Sequence, residues 1–406
     1  MMNHDKRDLI ILGGGMVGMT LALTAAKAGF SCHVIDRAPI EALTTGSSDG
    51  RASAISTASW NLFGHIGLAE SLRPLGCPID AIAVSDGLKP GRIDFVPDEG
   101  EGALGRMFAN LDLRLALFAA ASAEPLIQWH AGGEVVARHR GPHGVSVRLE
   151  GGAELSASLM VGAEGRQSPS REEAGLTSAH WGYHHRAIVT ALDHEKSHNN
   201  TAWEIFYPAG PFALLPLIDG AAGQHRSALV WTVAERHAGA MLALSDRAFL
   251  AEAKQRMGGV LGAIQLAAPK MSYPLGFHHA ARITAERFVL VGDAAHGIHP
   301  IAGQGLNLGL RDVAALIEVL RDGARLGLEP GDAQTLARYQ RWRSLDSFMV
   351  ASATDGLTRL FGIPGRLPSA VRRLGMGAVQ RSGALKRWFI DEARGVSGQL
   401  PALLQA

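Results

Sequence analysis

Residues 288–312 read FVLVGDAAHGIHPIAGQGLNLGLRD, and their types and spacing suit a flat, anionic ligand. Phe288 to Val291 is short, apolar and β-branched, the pattern of a buried parallel strand. It stops at Gly292-Asp293 and passes through a loop rich in glycine. From Leu306 the apolar residues Leu310, Val313, Leu316, Ile317 and Leu320 recur at helical spacing. A strand, tight loop and helix aim free backbone N–H groups, with about half a positive charge, at whatever sits before the helix. Gly303, Gly305 and Gly309 lack a Cβ and would let a flat ligand approach the backbone. A lone GD turn would be structural; the whole GDAAH…HP…GQGxN string asks for a ligand.

A second constellation opens the chain. Asp8 to Leu12 reads as a strand, Gly13-Gly14-Gly15-Met16-Val17-Gly18 as a turn, and Ala22 to Gly29 as a small-residue helix. Cys32 to Ile35 is the next strand and closes on Asp36-Arg37. GxGxxG between these elements, with an acid about 20 residues on, is a dinucleotide fingerprint. Gly13 is expected to make the turn, Gly15 to admit the pyrophosphate and Gly18 to let helix pack on strand. Asp36 is placed to bond the adenosine ribose. The fingerprint alone does not separate FAD from NAD.

The GD string resembles the flavin-contacting motif of the para-hydroxybenzoate hydroxylase-like flavoprotein monooxygenases. HPIAGQGLNLGLRD is most similar to the branch acting on ubiquinone precursors. That resemblance implies FAD, with Asp293 on its ribityl chain, Gly305, Leu306 and Asn307 facing the pyrimidine ring, and Pro300 against the isoalloxazine. It also implies that Arg51, Asn110 and Arg114 contact the FAD, and Arg37 and Val136 are counted with the cofactor-binding set. Asn110 is equally a good helix N-cap, and Arg51 could equally be a solvated residue of a capping loop. A further family signature, normally Asp-Gly-x-x-S-x-x-R, stands here as Glu164-Gly165-Arg166-Gln167-Ser168-Pro169-Ser170-Arg171. Glu reaches one methylene further than Asp, so Glu164, Gly165 and Arg166 are expected to bear more on the nicotinamide than on FAD retention.

The elements that must position these residues imply an α/β fold: a Rossmann-type FAD-binding domain with an inserted antiparallel-sheet substrate domain and a C-terminal helical tail. The expected division gives 1–75, 106–175 and 276–345 to FAD, 76–105 and 176–275 to substrate, and 346–406 to the tail. Residues 126–161 alternate as a β-meander. Strand-like runs at 186–192, 202–207, 212–218 and 227–233 concentrate aromatics, and Phe206, Tyr207, Phe212 and Leu215 are candidates for an apolar ring pocket.

With 406 residues the chain can bury a large core. Its 47% hydrophobic and 19% charged residues, net charge of +1 and mean hydropathy of +0.08 describe a globular protein with no field for nucleic acid. Two cysteines and no uncharged apolar run near ~20 residues point to a reducing, cytoplasmic setting without a spanning helix. The histidine pairs at 184–185, 278–279 and 296/299 have no ligand-like neighbours, so no metal is expected. Basic residues Arg359, Arg366, Arg372, Arg373, Arg381, Lys386 and Arg387 stud an apolar tail, a candidate contact for the membrane's inner face or for a partner of a biosynthetic complex.

The resemblance implies a monooxygenase that takes electrons from NADH or NADPH, activates O2 as a flavin C4a-hydroperoxide and hydroxylates the ring of a polyprenylated phenol. Alternatives are a hydroxylase of a small soluble phenol, a flavin reductase of isoprenoid lipids, and a catalytically idle flavin-binding scaffold.

Overall fold

The computed structural model describes residues 6–46, 49–297, 304–344, 346, 377 and 379–406. Its parallel sheet is centred on Lys6–Leu12, where Leu9, Ile10, Ile11 and Leu12 are buried because both faces are covered. Cys32–Asp36 and then Ile127–Ala131 extend it on one side, in parallel. On the other side lies Glu154–Gly162. The outer edge of that strand is shared: its start pairs antiparallel with Gly144–Leu149, its end in parallel with Phe288–Leu290. The expected meander over 126–161 is thereby corrected. Ile127–Ala131 belongs to the parallel sheet, and only the ribbon from Val135 onward is antiparallel. Helices Met16–Lys27 and Gln304–Arg325 follow the first strand and the GD turn, and pack against each other.

A second, nine-stranded sheet runs through Met271–Ala280, Ser178–His194, His225–Ala234, Gly210–Leu217, Thr201–Tyr207, Ala81–Asp86 and Ile93–Phe95. Side chains alternate between its faces. One face, carrying Ile188, Leu192, Ile205, Phe212, Leu214, Leu229 and Trp231, is covered by helices Glu235–Ala243 and Asp246–Met257. The other face looks toward a small sheet of Ala52–Ser56, Gly105–Ala109 and Gly76–Ile79, with Ala52, Ala54, Met107 and Cys77 packed on Val84, Leu215 and Leu217. The structure is thus α/β with an antiparallel-sheet insertion. Two expected boundaries fall inside paired structure: Gly76–Ile79 pairs with Gly105–Ala109, and Met271–Ala280 runs unbroken across 275/276.

Of the tail, helix Gly383–Arg394 folds back onto the substrate side. Phe389 packs on Phe95, while Arg387 pairs with Asp98 and Glu101, and Arg394 with Glu101. Arg387 is therefore spoken for within the chain and is not the free basic residue expected. Arg359, Arg366, Arg372 and Arg373 lie outside the described residues. Among the described residues no helix is long and apolar enough to cross a membrane.

Candidate functional site

The glycines of the first turn divide sharply by what surrounds them. Gly13 has φ +104°, and a Cβ there would run into the Ala163 backbone. A Cβ at Gly18 would strike the Gly13 carbonyl oxygen, so helix and strand can approach only through glycine. At Gly15 a Cβ would meet no described residue within 4 Å. That glycine lies at the N-terminus of Met16–Lys27, which has no side-chain cap and no acid in its first turn. Uncapped N–H groups and vacant room are what a pyrophosphate needs. Asp36 closes the cradle: its carboxylate accepts from the Gly14 N–H at 2.6 Å and the Ala38 N–H at 2.7 Å. Arg37 beside it is exposed.

Val17 joins this turn to the GD turn. A Cβ at Gly292 would meet Val17 at 3.2 Å and one at Gly309 at 2.8 Å. Gly309 therefore serves helix packing and not ligand approach, correcting the expectation. Gly305, in the first turn of the long helix, would bring a Cβ against no described residue within 4 Å. Leu306 packs partly on the core, and Asn307 turns its side chain inward, accepting from the Ser56 N–H at 2.9 Å and donating to the Ala54 carbonyl at 2.8 Å. Asn307 thus leaves only its backbone for a ligand at the helix N-terminus. Pro300 and Gly303 lie outside the described residues.

Asp293 sits on a short helical turn with its side chain 46% exposed. Its carboxylate accepts from Arg166 Nε at 3.3 Å, and Arg166 also donates to the Gly276 carbonyl at 3.0 Å. The Glu164 signature supports this turn from behind. Glu164 accepts from Ser168 Oγ at 2.7 Å, from the Ser170 N–H and hydroxyl, and from Arg138 at 3.4 Å. Arg171, buried, donates to the Ala294 carbonyl at 3.1 Å and the Arg166 carbonyl at 2.9 Å. The extra methylene of Glu164 is spent reaching the loop's own hydroxyls. Gly165, at φ +77° in open space, makes the bend.

The remaining expected contacts gather unevenly. Arg51 pairs with Asp49 at 2.7 Å and lies over the Tyr273 ring at 5.1 Å, at the seam between the two sheets. Asn110 is not the N-cap: its helix begins at Asn110 after Ala109, and its side-chain oxygen accepts from Ser53 Oγ at 2.7 Å. Arg114 donates to the Ala42 carbonyl at 3.0 Å, holding the short helix Ile40–Thr44 that follows Arg37. Val136 projects outward from the antiparallel ribbon, 52% exposed, and is not brought to the cradle.

Strand parity splits the four pocket candidates. Tyr207 and Phe212 point to the face covered by helices; Phe212 is wholly buried beside Trp231, and the Tyr207 hydroxyl donates to the Arg256 carbonyl at 2.6 Å. Both are corrected to core positions. Phe206 and Leu215 lie on the opposite face, with Ala187, Val189, Val230 and Ala213. Glu204 shares that face, and burial pushes its carboxyl up to about 8.

Beneath the GD turn lies a buried charge network that motif spacing did not reveal. Asp312 accepts from the Gly292 N–H at 2.9 Å, from His296 Nε2 at 2.7 Å and from Arg343 Nε at 2.6 Å; Arg343 and Arg311 both continue to Asp346. Burial works to raise the Asp312 carboxyl, but His296 and Arg343 outweigh it and hold it below the usual range. The available signal was the Arg311-Asp312 pair set between Leu310 and the apolar run Val313 to Leu316. Burial, then Arg166, Arg171 and His296, push nearby His278 down to about 4. Among the described residues no three metal-ligating side chains converge.

A glycine cradle and a GD turn clasped together beside a roofing antiparallel sheet define the class, an FAD-binding flavoprotein. Residues 6–345 match the FAD binding domain family, and the chain belongs to it. It is 43% identical over 388 residues to a ubiquinone hydroxylase, UbiL, of Rhodospirillum rubrum, covering 96% of this chain and 89% of that one. It is 33% identical to the 3-demethoxyubiquinol 3-hydroxylase of Escherichia coli, covering 97% of this chain and 100% of that one. Its fold is that of p-nitrophenol 4-monooxygenase PnpA from Pseudomonas putida, with a TM-score of 0.80 at 19% identity over 97% and 99% of the two chains.

Proposed function

We propose that this flavin-dependent monooxygenase uses FAD, NADH or NADPH and O2 to hydroxylate the ring of a polyprenylated phenol on the route to ubiquinone. The observation that carries this reading is the pair of glycines, Gly15 and Gly305, at the starts of two helices, where a Cβ would meet no described residue within 4 Å. The full-length likeness to two ubiquinone-pathway hydroxylases supports it. Gly15, Met16 and Val17 would hold the pyrophosphate, Asp36 the ribose, Asp293 the ribityl hydroxyls, and the backbone at Gly305, Leu306 and Asn307 the pyrimidine edge. Bound FAD supplies the activation of O2. The chain's own residues bind, orient and keep water from the ring. Residues 1–75, 106–175 and 276–345 would carry the cofactor, and 76–105 with 176–275 the substrate. Because Glu164 is accounted for by its loop, the idle-scaffold alternative loses its motive.

A polyprenyl tail gains about 0.8 kcal/mol per buried CH2, so such a substrate must be met in the bilayer or delivered by a carrier. The tail helix displays Leu385 and Trp388, 47% and 50% exposed, next to Lys386. This face, with the basic residues before it, is the proposed attachment to an anionic membrane. Salt-sensitive co-sedimentation with anionic liposomes checks it, and no binding at low salt points to a carrier instead. The function itself is tested by the quinone-intermediate profile of a strain lacking this protein. A prenylated precursor short of one ring hydroxyl is expected; an unchanged profile contradicts the reading.

A further inference from the structure

The apolar cluster between the nine-stranded sheet and the small sheet has a third wall. Ile390 of the tail helix is 4% exposed, and with Phe389 it joins Met107 of the small sheet and Ile93 and Phe95 of the large one. Phe389 meets the Phe95 ring at 5.6 Å between centroids. Leu215, one of the pocket candidates, belongs to the same cluster. Two acids hold this wall in place. Asp98 and Glu101 share the turn that joins Ile93–Phe95 to Gly105–Ala109, and so one sheet to the other. Arg387 pairs with Asp98 at 2.8 Å and with Glu101. Arg394 pairs with Glu101 at 3.2 Å and donates to its carbonyl at 2.9 Å.

The two ends of the helix are held differently. Arg394 is mostly covered, and just beyond it Arg311 of the long helix donates to the Gly395 carbonyl at 2.6 Å. That end is pinned. Nearer the start the contacts are ionic and wet, with the Asp98 side chain 79% exposed and Arg387 41%. An exposed ion pair is worth little. An anionic lipid surface attracts the same arginine with the field of many headgroups, and it offers Leu385 and Trp388, both on the outside, an apolar layer to enter.

Resting on the polyprenyl-substrate reading above, we infer that helix Gly383–Arg394 is a lid over this cluster, opened by an anionic membrane. Headgroup phosphates draw Arg387 from Asp98 and Glu101, Leu385 and Trp388 enter the interface, and Phe389 leaves Phe95. The helix swings about its pinned end and uncovers apolar surface where the bilayer supplies a long apolar chain. Away from the membrane the ion pairs close it again and keep that surface from water.

The test uses FAD-loaded full-length protein with Ala384→Cys and Glu99→Cys, both exposed positions, carrying a pair of distance-reporting labels; the two native cysteines are buried. At about 1.5 Å per residue, Ala384 stands on an arm of roughly 15 Å from Arg394, so opening should part the labels by several ångström. Phosphatidylglycerol vesicles should lengthen the distance and phosphatidylcholine vesicles should leave it unchanged. Asp98→Asn with Glu101→Gln should give the longer distance without lipid. Its turnover of a short-chain prenylated phenol should be indifferent to lipid, whereas the unsubstituted latch should turn over faster on anionic than on neutral vesicles. Vesicle binding at an unchanged distance overturns the lid and leaves membrane attachment and the hydroxylase reading intact. A distance that ignores both vesicles, or a latch variant that stays closed, overturns it as well. Labels that part as expected while no phenol is turned over under any condition support the lid and overturn the hydroxylase reading instead.

Discussion

Two carboxyls, Asp312 buried and Glu204 half-buried, are treated in opposite ways. Asp312, under the GD turn, is met by the Gly292 N–H, His296 and Arg343 and stays ionised. Glu204, on the sheet that roofs the site, is met by nothing among the described residues, and its carboxyl is raised to about 8. Under the GD turn the carboxyl is paired before anything binds, while the glycine turn beside it keeps uncapped N–H groups at the start of Met16–Lys27. On the substrate side Glu204 is only partly covered and has no partner among the described residues. The same contrast recurs in the glycines, with Gly18 pressed on the Gly13 carbonyl and Gly15 open.

The largest effect expected comes from the cofactor side. Gly18→Ala should abolish soluble, folded protein, because its methyl group must displace backbone; Gly15→Ala should fold, melt near the wild-type temperature and yet purify without flavin. Expression yield, thermal melting and flavin absorbance separate the two. Equal behaviour of the pair would break the distinction between packing and ligand glycines.

Asp312→Asn should come next, costing about 3–5 kcal/mol because Arg343 is left buried and uncompensated. The sign with pH follows from the depressed carboxyl. Its contribution is present above the usual carboxylate range and is lost as pH falls through its lowered value. Denaturant titrations should therefore show wild type and variant converging in acid. Glu204 has the opposite sign: the proton it holds when folded favours the fold below its ordinary pKa, and that advantage disappears as pH rises through about 8. Glu204→Gln should thus gain on wild type in melting temperature between mildly acidic and mildly alkaline pH. Parallel pH curves would remove the contrast between the two carboxyls.

Asp293→Ala should lose roughly ten- to hundredfold in FAD affinity, the worth of a hydrogen bond to a charged group at about 1.5–3 kcal/mol, while the fold persists. Glu164→Gln is the smaller and complementary case. It should cost about 1–3 kcal/mol of stability by loosening Ser168, Ser170 and Arg138, and keep FAD. Equilibrium dialysis and melting curves on the two variants check whether ligand contact and loop support are separate.

Much of the cofactor side was legible in the sequence because its residues are local. Gly13, Gly15, Gly18 and Gly292-Asp293 sit at turns whose strands and helices are contiguous with them. Gly309 was misread because its role depends on Val17, nearly three hundred residues earlier, crossing it. The antiparallel insertion was also visible, since alternation marks strands. Alternation does not say which face is covered, however, so Tyr207 and Phe212 looked equivalent to Phe206 and Leu215 until helices Glu235–Ala243 and Asp246–Met257 were seen on one side. Glu204 carried a signal of its own, an acid in an apolar run, and Asp312 another, a charged pair with Arg311 between apolar residues. Their opposite environments come from long-range packing, which spacing cannot report.

The central claim, oxygen transfer to a prenylated ring, is met most directly by incubating the FAD-loaded protein with NADH or NADPH, a short-chain prenylated phenol and isotopically heavy O2. Mass spectrometry then reads the product. The expected result is a phenol bearing one heavy oxygen on its ring, with nicotinamide oxidation accelerated by the phenol. Nicotinamide oxidation indifferent to the phenol, with no heavy oxygen in the ring, would contradict the account.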